Sequence, residues 1–212
     1  GKTGKTSVGV INALTDSKTR QDGSVIQRSN FSVFRVKQDV WARSNVGAIF
    51  VNKQTNVPGS GWDAYNRAGG VDFSFSPTKT LNFQGFYART WDSAIMDTDD
   101  ARFFQARYSG ALFSGQVKLV DIEENFQPRA GYINRRAGLI GLRRYEVETR
   151  VRAQPNNIKG IRYISAGPRV RLFTDRDNNV KFWDTRLTWY TRLKPGDYLK
   201  FTVPAYDMKF VE

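Results

Sequence analysis

Apolar and polar residues alternate with a period of two from one end of this chain to the other, and helical periodicity is nearly absent. An alternating segment offers opposite chemistries on its two faces, as a β-strand does when one face meets an apolar environment. The pattern predicts about eleven strands, at 7–14, 31–40, 46–55, 70–76, 81–91, 101–112, 116–122, 139–153, 161–173, 180–192 and 198–203. Several reach the ~9–11 residues a tilted strand needs to cross a bilayer, longer than the ~5–6 typical of soluble proteins. One face is apolar: Leu81, Phe83 and Tyr87 against Asn82 and Gln84 in one strand. Phe104, Ala106, Tyr108 and Leu112 oppose Gln105, Arg107 and Ser109 in another, and Trp183, Leu187 and Trp189 oppose Asp184, Arg186 and Thr188 in a third.

Two architectures produce such a pattern. A soluble β-sandwich hides its apolar faces between two sheets. An outer-membrane barrel turns them outward to lipid and keeps the polar faces inside. The segments between strands favour the barrel, because long ones (15–30, around 58–61, 92–100, 122–136) alternate with tight ones (43–44, 77–79, 114–115) over the first half. Barrels have this asymmetry of loops and turns. The later connections, at 155–157, 175–179 and 194–197, are all short. Trp41, Trp91, Trp189, Tyr190, Tyr198 and Tyr206 fall near strand ends, where amphipathic rings form interfacial girdles. Aromatic residues are abundant, with 15 Phe, 9 Tyr and 5 Trp.

Charge sharpens the expectation. The chain carries 33 Lys and Arg against 20 Asp and Glu, a formal charge of +13. The basic residues are scattered along strands instead of gathered in an arm or helix, which argues against a nucleic-acid partner. Alternation places Arg35, Lys37, Asp72, Arg107, Lys118, Arg144, Glu146, Glu148, Arg150, Arg169, Arg171, Asp184, Arg186 and Lys200 on the polar, lumen-facing side. It places Trp41, Phe83, Tyr87, Trp91, Phe104, Tyr108, Trp183, Leu187 and Trp189 on the lipid-facing side or its girdles. A net-basic lumen would favour anionic solutes.

The residue inventory excludes much chemistry. With no His and no Cys, the sequence can build neither a disulfide, nor a Cys/His zinc site, nor a Ser-His-Asp triad. Carboxylates, Lys, Tyr and Ser or Thr remain as catalytic groups, and none is arranged suggestively, so no catalytic residue, metal site or cofactor is expected. The opening Gly1-Lys2-Thr3-Gly4-Lys5-Thr6 lacks the preceding strand and following helix of a phosphate-binding loop. Asp97, Asp99 and Asp100, and likewise Asp175, Asp177 and Asn178, fall short of a calcium loop's ligand set.

Several segments resemble a known family. They are Gly1 to Thr15, Phe31 to Val40, Ser44 to Asn52, Asn66 to Asp72, and Asn125-Phe126-Gln127-Pro128 leading to Gly131-Tyr132-Ile133-Asn134-Arg135-Arg136. Together they are similar to the C-terminal β-barrel region of a bacterial family of uncharacterised function, whose members typically carry a family-9-type carbohydrate-binding domain ahead of the barrel. Many of those proteins are labelled membrane-associated hydrolases. The resemblance implies a Gram-negative outer-membrane location, contact with outer-membrane lipid or lipopolysaccharide, and a saccharide connection. It also implies that residues 1–212 form one barrel region within a longer chain, completed by further strands or a companion carbohydrate-binding domain. Two alternatives stand beside it: a soluble β-sandwich binding saccharide through Trp62 and Tyr65, and a carboxylate-dependent hydrolase.

Overall fold

The computed structural model describes residues 1–59, 61–129 and 141–207, with the side chains of 96–98 and 205–207 outside the description. The fold is all-β, and every element among the described residues is a strand. In chain order the strands are β1 (Lys2–Thr3), β2 (Thr6–Thr15), β3 (Lys18–Thr19), β4 (Val25–Ile26), β5 (Ser29–Trp41), β6 (Ser44–Val57) and β7 (Gly61–Phe75). There follow β8 (Leu81–Asp92), β9 (Ile95–Ser109), β10 (Phe113–Ile122), β11 (Arg143–Ala153), β12 (Ile161–Thr174), β13 (Val180–Leu193) and β14 (Tyr198–Asp207). Twelve of them form one sheet in the order β1-β2-β5-β6-β7-β8-β9-β10-β11-β12-β13-β14, while β3 and β4 pair only with each other. Each strand from β5 onward neighbours the next in sequence, so the sheet is an up-and-down meander, as the alternation predicts.

All eleven expected strands are present. Two of the expected long connections are strand instead. β7 starts at Gly61, so Trp62 and Tyr65 lie on a strand and not in a loop. β9 starts at Ile95, with only two residues between it and the end of β8, and takes in the acidic cluster. A strand can hold that cluster because successive residues face opposite ways, so the adjacent carboxylates of Asp99 and Asp100 are separated. The loop at 15–30 contains the β3–β4 hairpin. The expected start of a strand at Leu139 and the segment Gly131 to Arg136 lie outside the described residues.

The chain divides into two compact units: Gly1–Phe75 with Gly85–Arg102 and Ile122–Ile140, and Ser76–Gln84 with Phe103–Asp121 and Gly141–Glu212. Neither has an ordinary hydrophobic core. Among the described residues four apolar ones are buried (Ala68, Ala101, Phe126, Phe173), against thirteen polar or charged ones, including Asn66, Asp100, Gln105, Asp121, Glu146 and Asp184. A water-soluble fold concentrates its large apolar side chains inside. Here the relation is inverted.

Candidate functional site

Ladder register decides which side chains share a face, because directly paired residues on antiparallel strands point the same way. In the first unit one row runs Val10, Phe34, Phe50 and Gly69, and the next runs Val8, Val36, Ala48 and Val71. Two residues further along the strands this apolar face turns polar at Asn12, Ser32, Asn52 and Arg67. Asn12 Nδ2 donates to Ser32 Oγ at 2.8 Å and Arg67 Nε to Asn52 Oδ1 at 3.2 Å, so this tier satisfies itself by hydrogen bonding. The guanidinium of Arg67 also lies over the Tyr65 ring, 4.3 Å from its centre.

In the second unit the apolar face is broader. Its rows are Val117, Val147, Val170 and Thr185; Leu119, Tyr145, Leu172 and Trp183; and Pro168, Leu187 and Val203. Along β12 the apolar positions run from Ile164 to Leu172, eight residue steps or about 26 Å at about 3.3 Å per step. The band ends at a polar tier, where Arg143 Nε donates to Asp121 Oδ2 at 3.2 Å and Thr174 stands opposite Arg143.

Exposure follows the register. Leu187 is 53% exposed and Trp189 46%, while Asp184 on the other face is 6% exposed. Phe104 is 39% exposed and its neighbour Gln105 only 3%. Trp41, Tyr87, Trp91 and Tyr108 are also exposed, and Phe83 and Trp183 are intermediate. Tyr190 and Tyr198, read as girdle residues from their place near strand ends, stand on the polar face opposite Arg or Lys neighbours in register. There they stack on each other, with Tyr190 also stacked on Tyr163.

The polar face of the first unit carries Arg35, Lys37 and Asp72. Arg35 makes a bidentate pair with Asp72, its Nη2 donating to Oδ1 at 2.9 Å and its Nη1 to Oδ2. The pair spans β6, and its guanidinium passes over Gly47: a Cβ at that position would sit 2.6 Å from Arg35 Nη2. Lys37 stands opposite Gly47. At the same face, Asn66 ties down the segment after β10. Its Nδ2 donates to the Gln127 carbonyl at 2.9 Å, and its Oδ1 accepts from the Arg129 N–H at 2.8 Å. Arg129 pairs with Asp92 at 3.0 Å, and Phe126 in the same segment is buried.

The polar face of the second unit is built in rows of cross-strand neighbours. Lys118, Glu146, Arg171 and Asp184 follow one another across β10, β11, β12 and β13 with alternating sign. Lys118 Nζ lies 3.0 Å from Glu146, and Arg171 Nη2 lies 2.7 Å from Asp184. The adjoining row runs Gln116, Glu148, Arg169 and Arg186. Gln116 donates to Glu148 at 2.9 Å, and Gln84, Gln105 and Gln116 form a hydrogen-bonded chain with separations of 2.7 and 2.9 Å. Arg107 Nη2 reaches Gln116 at 3.1 Å and Arg150 Nη2 reaches Glu148 at 3.2 Å. Arg144 lies opposite Phe173 and Lys200 opposite Tyr190. Register places thirteen of these charged positions on the polar faces of their units, and its hydrogen bond to Gln116 sets Arg107 beside them, with Lys37, Arg107 and Lys200 exposed.

The glutamine chain and the Asn66 anchor were not foreseen. Alternation gives a residue's face but not its cross-strand partner, and only the partner makes Gln84, Gln105 and Gln116 a chain.

The remaining motifs resolve as local structure. Gly1 to Thr6 holds β1 and its turn into β2 at Gly4 and Lys5, with Lys2 paired to Asp39 at 2.9 Å. Asp175 caps its own turn, its Oδ1 accepting the N–H groups of Asp177 at 3.0 Å and Asn179 at 2.8 Å. Burial would raise its pKa, yet the Asn179 side chain, Lys181 and the Asn179 backbone hold the carboxyl down at about 2. Asp100 accepts from Arg89 and Arg102 at 2.6 and 3.0 Å, which makes it part of an ion-pair network on the face of Phe104. Among the described residues no group of three His, Cys, Asp or Glu side chains could hold a metal. Comparison with known proteins finds no matching family model, no matching curated protein and no matching solved structure.

Proposed function

We propose that this chain is part of an outer-membrane β-barrel of a Gram-negative bacterium, a channel or anchor whose apolar strand faces meet hydrocarbon and whose net-basic polar faces line an interior. One observation carries the proposal: large apolar side chains fill an exposed band, while the buried side chains are mostly polar or charged, Gln105, Glu146 and Asp184 among them. In water an exposed band of Leu187, Val203, Phe201 and Trp189 would leave a large apolar patch uncovered. In a bilayer the same band is solvated by acyl chains, and its nine-residue run along β12, Ile164 to Leu172, matches the ~9–11 residues with which a tilted strand crosses the hydrocarbon. The polar tiers at Asn12, Ser32, Asn52 and Arg67, and at Asp121 and Arg143, then fall at headgroup depth, where Arg and Asn meet water and phosphate.

The interior chemistry is passive. Rows of paired charges fix the side chains that a solute would pass, and unpaired cations set its sign. Glycan handling, with a companion carbohydrate-binding domain, stays part of the proposal on the strength of the resemblance alone.

A refolding assay tests it. Diluted from denaturant into detergent micelles or lipid vesicles, the chain is expected to gain a β-rich circular dichroism spectrum and a blue-shifted tryptophan emission. The same dilution into plain buffer is expected to give aggregate. A folded, detergent-free monomer would reject the membrane assignment.

A further inference from the structure

We infer that Arg169 and Arg186, on the polar face of the second unit, form a binding site for one oxyanion group (phosphate, sulfate or carboxylate) of a small solute. The inference deepens the channel proposal by naming the solute class, and it depends on that proposal only for its physiological role. The two arginines stand directly opposite one another in the ladder between β12 and β13. Like charges in that relation destabilise a sheet unless something neutralises them.

The surrounding carboxylates are already engaged. Glu148, opposite Arg169 on β11, accepts from Gln116 through Oε2 and from Arg150 through Oε1. In the adjoining row Glu146 pairs with Lys118 and Asp184 with Arg171. Arg169 Nε is buried and has no hydrogen-bond partner, an arrangement that costs free energy unless a ligand completes it. Every carboxylate on these two rows has a cation or amide donor, while the two apposed guanidiniums have no carboxylate of their own among the described residues.

On the same face, Thr188 lies two residues along β13 from Arg186 and opposite Gly167, which carries no side chain of its own. A guanidinium offers a planar fork of N–H donors that matches an oxyanion bidentately, and two such forks suit a doubly charged group.

The test uses the full chain, refolded in whichever medium keeps it folded, with inorganic phosphate, sulfate, glucuronate and uncharged glucose as probes. Binding is read as a saturable rise in the unfolding midpoint and, for phosphate, as broadening of its ³¹P resonance. Wild type and a Lys159→Gln control in the β11–β12 turn are expected to respond to at least one anion and not to glucose. Comparing phosphate with glucuronate distinguishes a phosphorylated solute from an acidic sugar. Arg169→Gln and Arg186→Gln are each expected to weaken the response at least tenfold. Without anion, Arg186→Gln is expected to be no less stable than wild type, since it relieves the apposition. Absence of a saturable response to every anion, a response retained in both variants, or marked destabilisation of anion-free Arg186→Gln would each overturn the site. A failed site leaves the membrane proposal standing, and a chain that folds without detergent would sink the membrane proposal while leaving an anion response intact.

Discussion

Replacing Leu187 by Arg separates a membrane-facing band from a water-facing one by the size of a single free-energy change. Leu187 is 53% exposed and stands in one row with Pro168 and Val203. Along β12 its partner Pro168 lies four residues from Ile164 and six from the Thr174 tier, about 13 and 20 Å at about 3.3 Å per residue. That places Leu187 near the middle of the apolar band. An arginine at the midplane of a lipid-facing barrel strand costs roughly 2–4 kcal/mol, falling to about 0–1 near the interface. In a soluble protein a substitution at an exposed position usually changes stability by no more than about 0.5 kcal/mol. Leu199, opposite Thr191 and four residues from Val203 on β14, is the depth control. Equilibrium guanidinium unfolding from lipid vesicles, followed by tryptophan emission, is expected to show Leu187→Arg destabilised by about 2–4 kcal/mol and Leu199→Arg by markedly less. Equal, near-zero effects at the two positions would refute the depth assignment.

Gly167→Ala would put a methyl group 1.8 Å from the Thr149 carbonyl oxygen, so the β11 and β12 backbones must part. A loss of about 1–3 kcal/mol is expected in the same unfolding assay, in the range of overpacked sites. Gly47→Ala would meet only the mobile end of Arg35, 2.6 Å away, and is expected to cost less than Gly167→Ala while breaking the Arg35–Asp72 fork. Asn66→Leu removes both hydrogen bonds to 127–129, and amide exchange in 123–129 is expected to quicken while β12 and β13 keep their protection. The Asp175 carboxyl, held near pKa 2 against an ordinary 3.8, favours folding above about pH 4, and that contribution is lost as pH falls toward 2. An NMR titration of its carboxyl carbon should show the low midpoint, and titration at the ordinary value would contradict the turn geometry.

Much of this fold was legible because a strand's two faces differ so sharply in chemistry. The sequence Trp183, Asp184, Thr185, Arg186, Leu187, Thr188 and Trp189 allows one strand assignment with one polar face, and β13 has both. The limits of strands were less legible. Gly69 and Gly70 interrupt the apolar pattern of β7, so its first nine residues read as loop. The acidic run at 97–100 reads as solvated, yet Asp100 is held in β9 by Arg89 and Arg102. Pairing was not legible at all. That Arg169 faces another arginine across the ladder, whereas Arg171 faces Asp184, depends on register, and a slip of two residues would set Arg169 opposite Asp184 instead. The direction in which the apolar face looks was equally open, since periodicity is the same for a sandwich and a barrel.

That direction can be measured residue by residue. The chain contains no Cys, so single cysteines can be placed and spin-labelled along β13 from Trp183 to Trp189 in vesicles without a background signal. Labels at 183, 185, 187 and 189 are expected to collide with membrane-dissolved oxygen, and labels at 184, 186 and 188 with a water-soluble nickel chelate. A phase reversed by one residue, or nickel access at all seven positions, would contradict the assignment of the apolar face to hydrocarbon.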